Sequence, residues 1–202
     1  MAAATDIEVR AVTRAERASA GGVAARALRD DPLLRFLHGD NVLARARGSY
    51  EMFVGTVRDG PSEPLAAFVA DHVIGVVGAV PPDHCFVGLL TPEWLEHGAE
   101  LEPPCNPGRL NRVLTDWASH HVQNTRHWHV GPVGVEPGLQ GLGIGSKVLA
   151  AFCERMDHEG EIAWLETSKP ENVVFYRRAG FEVMDESDLY ELHTWFMRRD
   201  PR

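Results

Sequence analysis

One segment constrains this chain more than any other: Val133-Gly-Val-Glu-Pro-Gly-Leu-Gln-Gly-Leu-Gly-Ile-Gly-Ser-Lys-Val-Leu149. It reads as a short apolar strand, a Pro/Gly turn, a glycine-dense loop and the start of an amphipathic helix. Such an arrangement aims bare backbone N–H groups at one spot, where the helix dipole also favours an anion. Gly141, Gly143 and Gly145 carry no Cβ, so a phosphate can approach the backbone closely. The ligand suited to this loop carries a pyrophosphate. The alternative is a glycine-rich strand-to-helix turn that binds nothing.

Two familiar phosphate loops are excluded by spacing. A Walker loop needs Gly-Lys-Ser/Thr, whereas Lys147 follows Ser146 and precedes Val148. A dinucleotide fingerprint finds Gly141 and Gly143 but meets Ser146 where glycine or alanine is needed. The acidic residue that should follow would be Glu161, which lies before the next strand rather than at its end.

The pattern Val-x-Val-x-Pro-x-x-Gln-Gly-x-Gly-Ile-Gly instead resembles the acetyl-CoA loop of the GNAT superfamily of N-acetyltransferases. A second segment, Trp164-Leu-Glu-Thr-Ser-Lys-Pro-Glu-Asn-Val-Val-Phe-Tyr-Arg-Arg-Ala-Gly-Phe181, supports the same resemblance. Asn172 and Tyr176 are four residues apart and so share one helix face. Residues 128–201 resemble in particular the puromycin N-acetyltransferase-like small-molecule enzymes. The match there includes Trp128 and the closing Thr194-Trp195-x-Met197-x-Arg199-x-Pro201.

The resemblance implies acetyl-CoA as cosubstrate and direct transfer to an amine. By it, the backbone of Val133, Gly134 and Val135 holds the donor and polarises its carbonyl. Gln140, Gly141, Leu142, Gly143, Ile144, Gly145 and Ser146 hold the pyrophosphate, and Asn172 contacts the pantetheine arm. Tyr176 is both a cofactor contact and the general acid that protonates the leaving thiolate. Read without the resemblance, Tyr176 is equally an ordinary half-buried tyrosine. The incoming amine must lose a proton. Glu166, ending a strand, is the first candidate base and His129 the second, with a water chain as the third route. Glu166 can equally be structural, and His129 a satisfied strand histidine.

Composition bounds the setting. At 202 residues, with 44% hydrophobic and 24% charged residues, the chain is expected to form one domain with a substantial core. Its formal net charge of −9 opposes a nucleic-acid partner and suits a cationic amine. Three cysteines, Cys85, Cys105 and Cys153, suggest no disulfide framework and a cytoplasmic setting. No apolar run is long enough for a membrane span. The oligomeric state is open, and a homodimer is allowed.

Strands are expected at 7–12, 65–70, 73–80, 127–135, 162–167, 181–184 and 191–197. Helices are expected at 14–29, after Pro32, at 41–58, 109–124 and from the glycine loop to about Asp157. The last is expected at 169–179, with Ser168 and Glu171 at capping-box spacing. The fold class is mixed α/β. In the resembled family the central, mostly antiparallel sheet splays between its fourth and fifth strands, flanked by helices, and the cofactor enters the splay. One N-acetyltransferase domain is expected over 1–202, with an acetyl-CoA-binding core at 127–185 and a variable insert at 81–126 that shapes the acceptor site.

Four histidines, His120, His121, His127 and His129, raise a metal reading. Their spacing lacks the cysteine or carboxylate pattern of a strong zinc site, so no metal is expected. Cys153 reads as core, and no Cys-His-Asp ordering suggests an acyl-cysteine route. The acidic groups Glu93, Glu96, Glu100, Glu102 and Asp185, Glu186, Asp188, Glu191 are solvated faces or the mouth of an amine site. The leading function is an acetyl-CoA-dependent N-acetyltransferase acting on a primary amine of a small molecule. The alternatives are a protein or peptide amino-group acetyltransferase and a catalytically silent acyl-CoA-binding module.

Overall fold

The computed structural model describes residues 7–85, 87, 108–122 and 125–202. Seven strands form one sheet: β1 (Glu8–Ala11), β2 (Leu65–Val69), β3 (His72–Val80), β4 (His127–Val135), β5 (Ile162–Thr167), β6 (Glu182–Leu189) and β7 (Leu192–Arg199). Their spatial order is β1-β2-β3-β4-β5-β7-β6. Every neighbouring pair is antiparallel except β4 and β5.

That parallel pair creates the feature on which the site depends. The β4–β5 ladder holds only three rungs, ending at His129 opposite Trp164. β4 then continues to Val135 along β3, while β5 continues to Thr167 along β7. The two strands diverge, and the expected splay between the fourth and fifth strands is present.

Helices cover both faces. α1 (Arg17–Leu28) and α3 (Val42–Arg58) pack on one face, around Val12, Val23, Phe68 and Val76. Gly21 allows the two helices to meet, since a Cβ there would lie 2.7 Å from Val54 Cα. Between them runs α2 (Pro32–His38), started by Asp31, whose carboxylate accepts from the Leu33 N–H. Asn41 caps α3 in the same way, accepting from Leu43 and Ala44. Arg109–His120 forms α4. On the opposite face α5 (Ile144–Glu159) buries Val148, Leu149, Phe152 and Met156 against Trp128, Val77 and Leu165. The short α6 (Pro170–Arg178) is the last helix among the described residues.

Several boundaries differ from the sequence expectation. The first helix begins at Arg17 rather than 14, because the Glu16 carboxylate turns back to accept from Thr13 N and Oγ1. α4 ends at His120 rather than 124, with His121 already extended. The capping box at Ser168 does not form. Lys169 is the cap residue of α6 with no side-chain capping bond, and Ser168 Oγ lies 3.4 Å from Thr194 Oγ1. Pro170 and Gly180 still bracket that helix. The closing hairpin is longer than 181–184 and 191–197 indicate, because acidic residues on the outer strand β6 continue the ladder while facing solvent.

Candidate active site

The splay opens into a cleft of about 600 Å³. One wall is β4 at Val133, Gly134 and Val135, and another is the glycine loop with Gln140, Gly141, Gly143, Ile144, Gly145 and Ser146. Asn172, Phe175 and Tyr176 of α6 close the far side. Of the residues expected to hold the cofactor, all but Leu142 line this cleft. Leu142 is 70% exposed and turned away from the lining.

The loop geometry follows from its glycines. Gly141 and Gly143 both have φ of +80°, and open space lies where a Cβ would project. Gly143 is the cap residue of the 16-residue α5, so that helix's N-terminal N–H groups face the cleft without a side chain intervening. Gly145 serves packing instead, since a Cβ there would sit 3.3 Å from Val135 Cγ2. Gln140 donates from Nε2 to the Val135 carbonyl at 3.2 Å and ties the loop to the strand. This combination of open backbone, helix terminus and unpaired strand edge fits a pyrophosphate joined to an extended arm.

A second, smaller chamber of about 180 Å³ meets the cleft at Leu28, Val133, Asn172 and Tyr176. Its apolar wall includes Leu28, Leu34, Met52, Phe53 and Trp117, and its polar groups include Asp31, His129, Glu166, Thr167 and Tyr176. The wall is thus built largely by α1, α2 and α3. Of residues 81–126, expected to shape the acceptor site, the described part contributes Trp117. Glu93, Glu96, Glu100 and Glu102 lie outside the described residues. Asp185, Asp188 and Glu191 pair on the surface with His120, His193 and Arg109, and none of them lines the chamber.

Tyr176 is buried at the junction of the two cavities, and burial together with the nearby Asp31 raises its phenol pKa. A raised pKa keeps the phenol protonated, as a proton donor must be. Asn172 is held by donation from Nδ2 to Thr167 Oγ1 at 3.1 Å.

Glu166 and His129 come together as a pair. His129 Nε2 lies 2.9 Å from Glu166 Oε2, His121 Nδ1 lies 3.4 Å from Oε1, and Trp164 donates to Oε1 at 3.1 Å. Burial alone would raise the Glu166 pKa, but the two imidazoles outweigh it and hold the carboxyl below its ordinary range. Burial disfavours the imidazolium of His129, and Glu166 and Cys85 reverse that and raise its pKa. Asp31 is the opposite case. Burial raises its pKa, and Lys169, 3.4 Å away, offsets this only in part. An Asp before a proline carries no local sign in the sequence that it will face a cavity.

Cys85 was also missed. Its Sγ lies 3.0 Å from His129 Nδ1, so a Cys85–His129–Glu166 ordering does exist. The thiol is buried and does not line the chamber, which removes it from contact with an acyl donor there. Cys153 is core, its thiol pushed up to about 11 by burial.

With this geometry in place, comparison with known proteins is direct. The profile of the Acetyltransferase (GNAT) family matches residues 26–181. A polyamine N-acetyltransferase of Drosophila melanogaster, described as forming N-acetylagmatine, superposes with a TM-score of 0.68 at 16% identity, covering 96% of this chain and 100% of that one. An acetyltransferase from Corynebacterium glutamicum, related to a histone acetyltransferase, gives 0.67 at 19% identity, covering 97% of each chain. A GNAT acetyltransferase from Brucella melitensis in complex with acetyl-CoA gives 0.53 at 16% identity, covering 97% and 88%. No helix among the described residues is long and apolar enough to cross a membrane.

Proposed function

From its membership of the GNAT acetyltransferase family, to which the chain belongs, we propose that it transfers an acetyl group from acetyl-CoA to the primary amine of a small cationic molecule. One observation carries this reading: the glycine-loop cleft and the acidic chamber meet where Leu28, Val133, Asn172 and Tyr176 stand. A donor laid along β4 and an acceptor in the chamber would face each other across the Tyr176 hydroxyl.

Acetyl-CoA supplies an activated thioester, whose carbonyl carbon takes the amine nitrogen as the C–S bond breaks. Backbone N–H groups along β4 near Val133 and Val135 hold and polarise the carbonyl. The glycine loop and the N-terminus of α5 bind the pyrophosphate. Tyr176 gives its proton to the departing sulfur.

The two chamber carboxylates divide the remaining work. Glu166, held ionised by two imidazoles, is a weak proton acceptor and serves to attract the ammonium group. Asp31, whose pKa burial raises, takes the proton that the amine must lose. This assigns to Asp31 the base role first expected of Glu166.

The small chamber and its enclosing helices favour a small acceptor over a protein tail. The polyamine acetyltransferase among the structural neighbours acts on amines of that kind, and the resemblance over 128–201 to puromycin N-acetyltransferase-like enzymes points to the same substrate class. The test is calorimetric titration with acetyl-CoA, with NAD as control, followed by thiol release across a panel of monoamines, diamines and lysine peptides. Binding of acetyl-CoA alone, with turnover of a small amine, is expected. Acetyl-CoA binding without turnover of any amine would leave a silent acyl-CoA-binding module.

A further inference from the structure

We infer that Cys85, His121, His127 and His129 form a tetrahedral site for one divalent metal ion, of the chemistry zinc prefers. The four side chains are all buried, and one ligand atom from each lies within 4.8 Å of the others. The converging atoms are Cys85 Sγ, His121 Nε2, His127 Nε2 and His129 Nδ1. Sγ is 3.2 Å from His121 Nε2 and 3.0 Å from His129 Nδ1, and the Nε2 atoms of His121 and His127 are 3.0 Å apart. Tetrahedral zinc, with bonds of roughly 2.3 Å to sulfur and 2.0–2.1 Å to nitrogen, sets edges of about 3.3–3.6 Å. The three short separations lengthen by a few tenths of an ångström, and the other pairs, all within 4.8 Å, settle to the same edges.

The outward nitrogens make the stronger argument. Each imidazole turns its remote nitrogen to an acceptor outside the cluster. His127 Nδ1 donates to the Thr125 carbonyl at 2.7 Å, His129 Nε2 to Glu166 at 2.9 Å, and His121 Nδ1 faces Glu166 at 3.4 Å. A carbonyl and an ionised carboxylate only accept, so these nitrogens carry the hydrogens. Metal binding displaces any proton on the inward nitrogens and on the thiol, and the rings then present three lone pairs, together with the sulfur, to one point. A thiol brings a single proton to that point, whereas one cation satisfies all four. Metal-bound histidines are oriented in this way, with the far nitrogen on a carboxylate or backbone carbonyl.

Thiolate and imidazole donors together select zinc-like ions over magnesium or calcium. Four protein donors leave no open position, so the ion is structural. Its two positive charges are matched by one thiolate and by Glu166. The ligands come from the segment after β3, from the residue that follows α4 and from one face of β4. Joining them would pin α4 and its Trp117 to the sheet and fix Glu166 at the chamber. The spacing of the histidines alone gives no metal signal because the sulfur arrives from 36 residues before His121.

The test uses the full chain and does not depend on acetyl transfer, so its failure is distinct from failure of the enzymatic reading. Protein purified from zinc-containing medium is expected to carry about one zinc per chain by elemental analysis. Chelator-stripped protein given cobalt(II) alone should show thiolate-to-cobalt charge transfer and the intense visible bands of a tetrahedral ion. Cys85→Ser should lose the charge-transfer absorption. His127→Ala, outside the chamber, should weaken metal binding. Glu166→Gln should weaken it about 10–100-fold while the tetrahedral bands survive at saturation. Wild-type protein without stoichiometric metal and without cobalt charge transfer overturns the site, as does a band that persists in Cys85→Ser. Should Cys85→Ser fail to fold, the wild-type cobalt spectrum and His127→Ala decide.

Discussion

His129 and Trp164 are the last rung of the parallel ladder between β4 and β5. Up to that rung the strands share hydrogen bonds, and past it each keeps only its antiparallel neighbour. The divergence frees the cleft-facing edge of β4 from Val130 to Val135. It also puts His129 and Glu166 in the lining of the smaller chamber. The glycine-loop cleft and the chamber are two consequences of one break in pairing.

Replacing Tyr176 by Phe removes the hydroxyl from the junction of the two cavities and little else. The expected outcome is a fall in kcat of about 10²–10⁴-fold, with acetyl-CoA affinity nearly intact. Steady-state kinetics beside calorimetry separates the two effects. Unchanged turnover at every pH would remove Tyr176 from the mechanism.

Asp31 must be ionised to accept a proton, and burial raises its pKa. Activity should therefore decline as pH falls through that raised value, at higher pH than an exposed aspartate would dictate. Asp31→Asn should lower kcat/KM strongly and abolish that acid limb. A pH–rate profile of the variant that keeps the wild-type limb would assign the limb to another group.

Gly143 holds φ at +80° as the cap residue of α5. Gly143→Ala is expected to cost about 1–2 kcal/mol from the left-handed conformation and to weaken acetyl-CoA binding by disturbing the loop. Thermal unfolding and titration read the two effects separately. Wild-type affinity in a destabilised variant would mean that the loop tolerates a shift without losing its N–H groups.

At Gly134 α1 packs tightly on β4, and a Cβ there would lie 3.0 Å from Ala27 Cβ and 3.2 Å from Ala24 Cα. Gly134→Val should destabilise by about 1–3 kcal/mol through overpacking, measured by denaturant unfolding. Gly138→Ala, which meets nothing within 4 Å, is the control.

Asp157 receives two bonds of 2.7 Å from the buried Arg199 guanidinium and one of 2.8 Å from the Arg202 N–H. These hold its pKa down to about 2 against an ordinary 3.8, Arg199 foremost. A carboxylate with a depressed folded-state pKa contributes stability above its unfolded value and loses it as pH falls through the folded one. Its contribution should be complete above about pH 4 and vanish toward about pH 2. Asp157→Asn should lower the melting temperature at neutral pH, with the gap to wild type closing in acid. A gap independent of pH would show the effect to be packing.

The strand and helix pattern was legible because it is local. Short apolar runs such as Ile162–Leu165 and the 3.6-residue apolar stripe of α5 hold their meaning within a few residues. The glycine loop was legible for the same reason: its φ values and open backbone are properties of the glycines themselves. The expected Tyr176 and Asn172 share a helix face through a four-residue spacing that survives in α6.

By itself, then, the sequence determined the elements, the loop and the family resemblance. Only the tertiary structure decided what surrounds the acceptor. Asp31 reaches the chamber because α2 folds across the splay, and Cys85 meets His129 across 44 residues of chain. Glu166 meets His129 because β4 and β5 run side by side just before they part. Such convergence depends on which strands become neighbours, and periodicity carries no record of that.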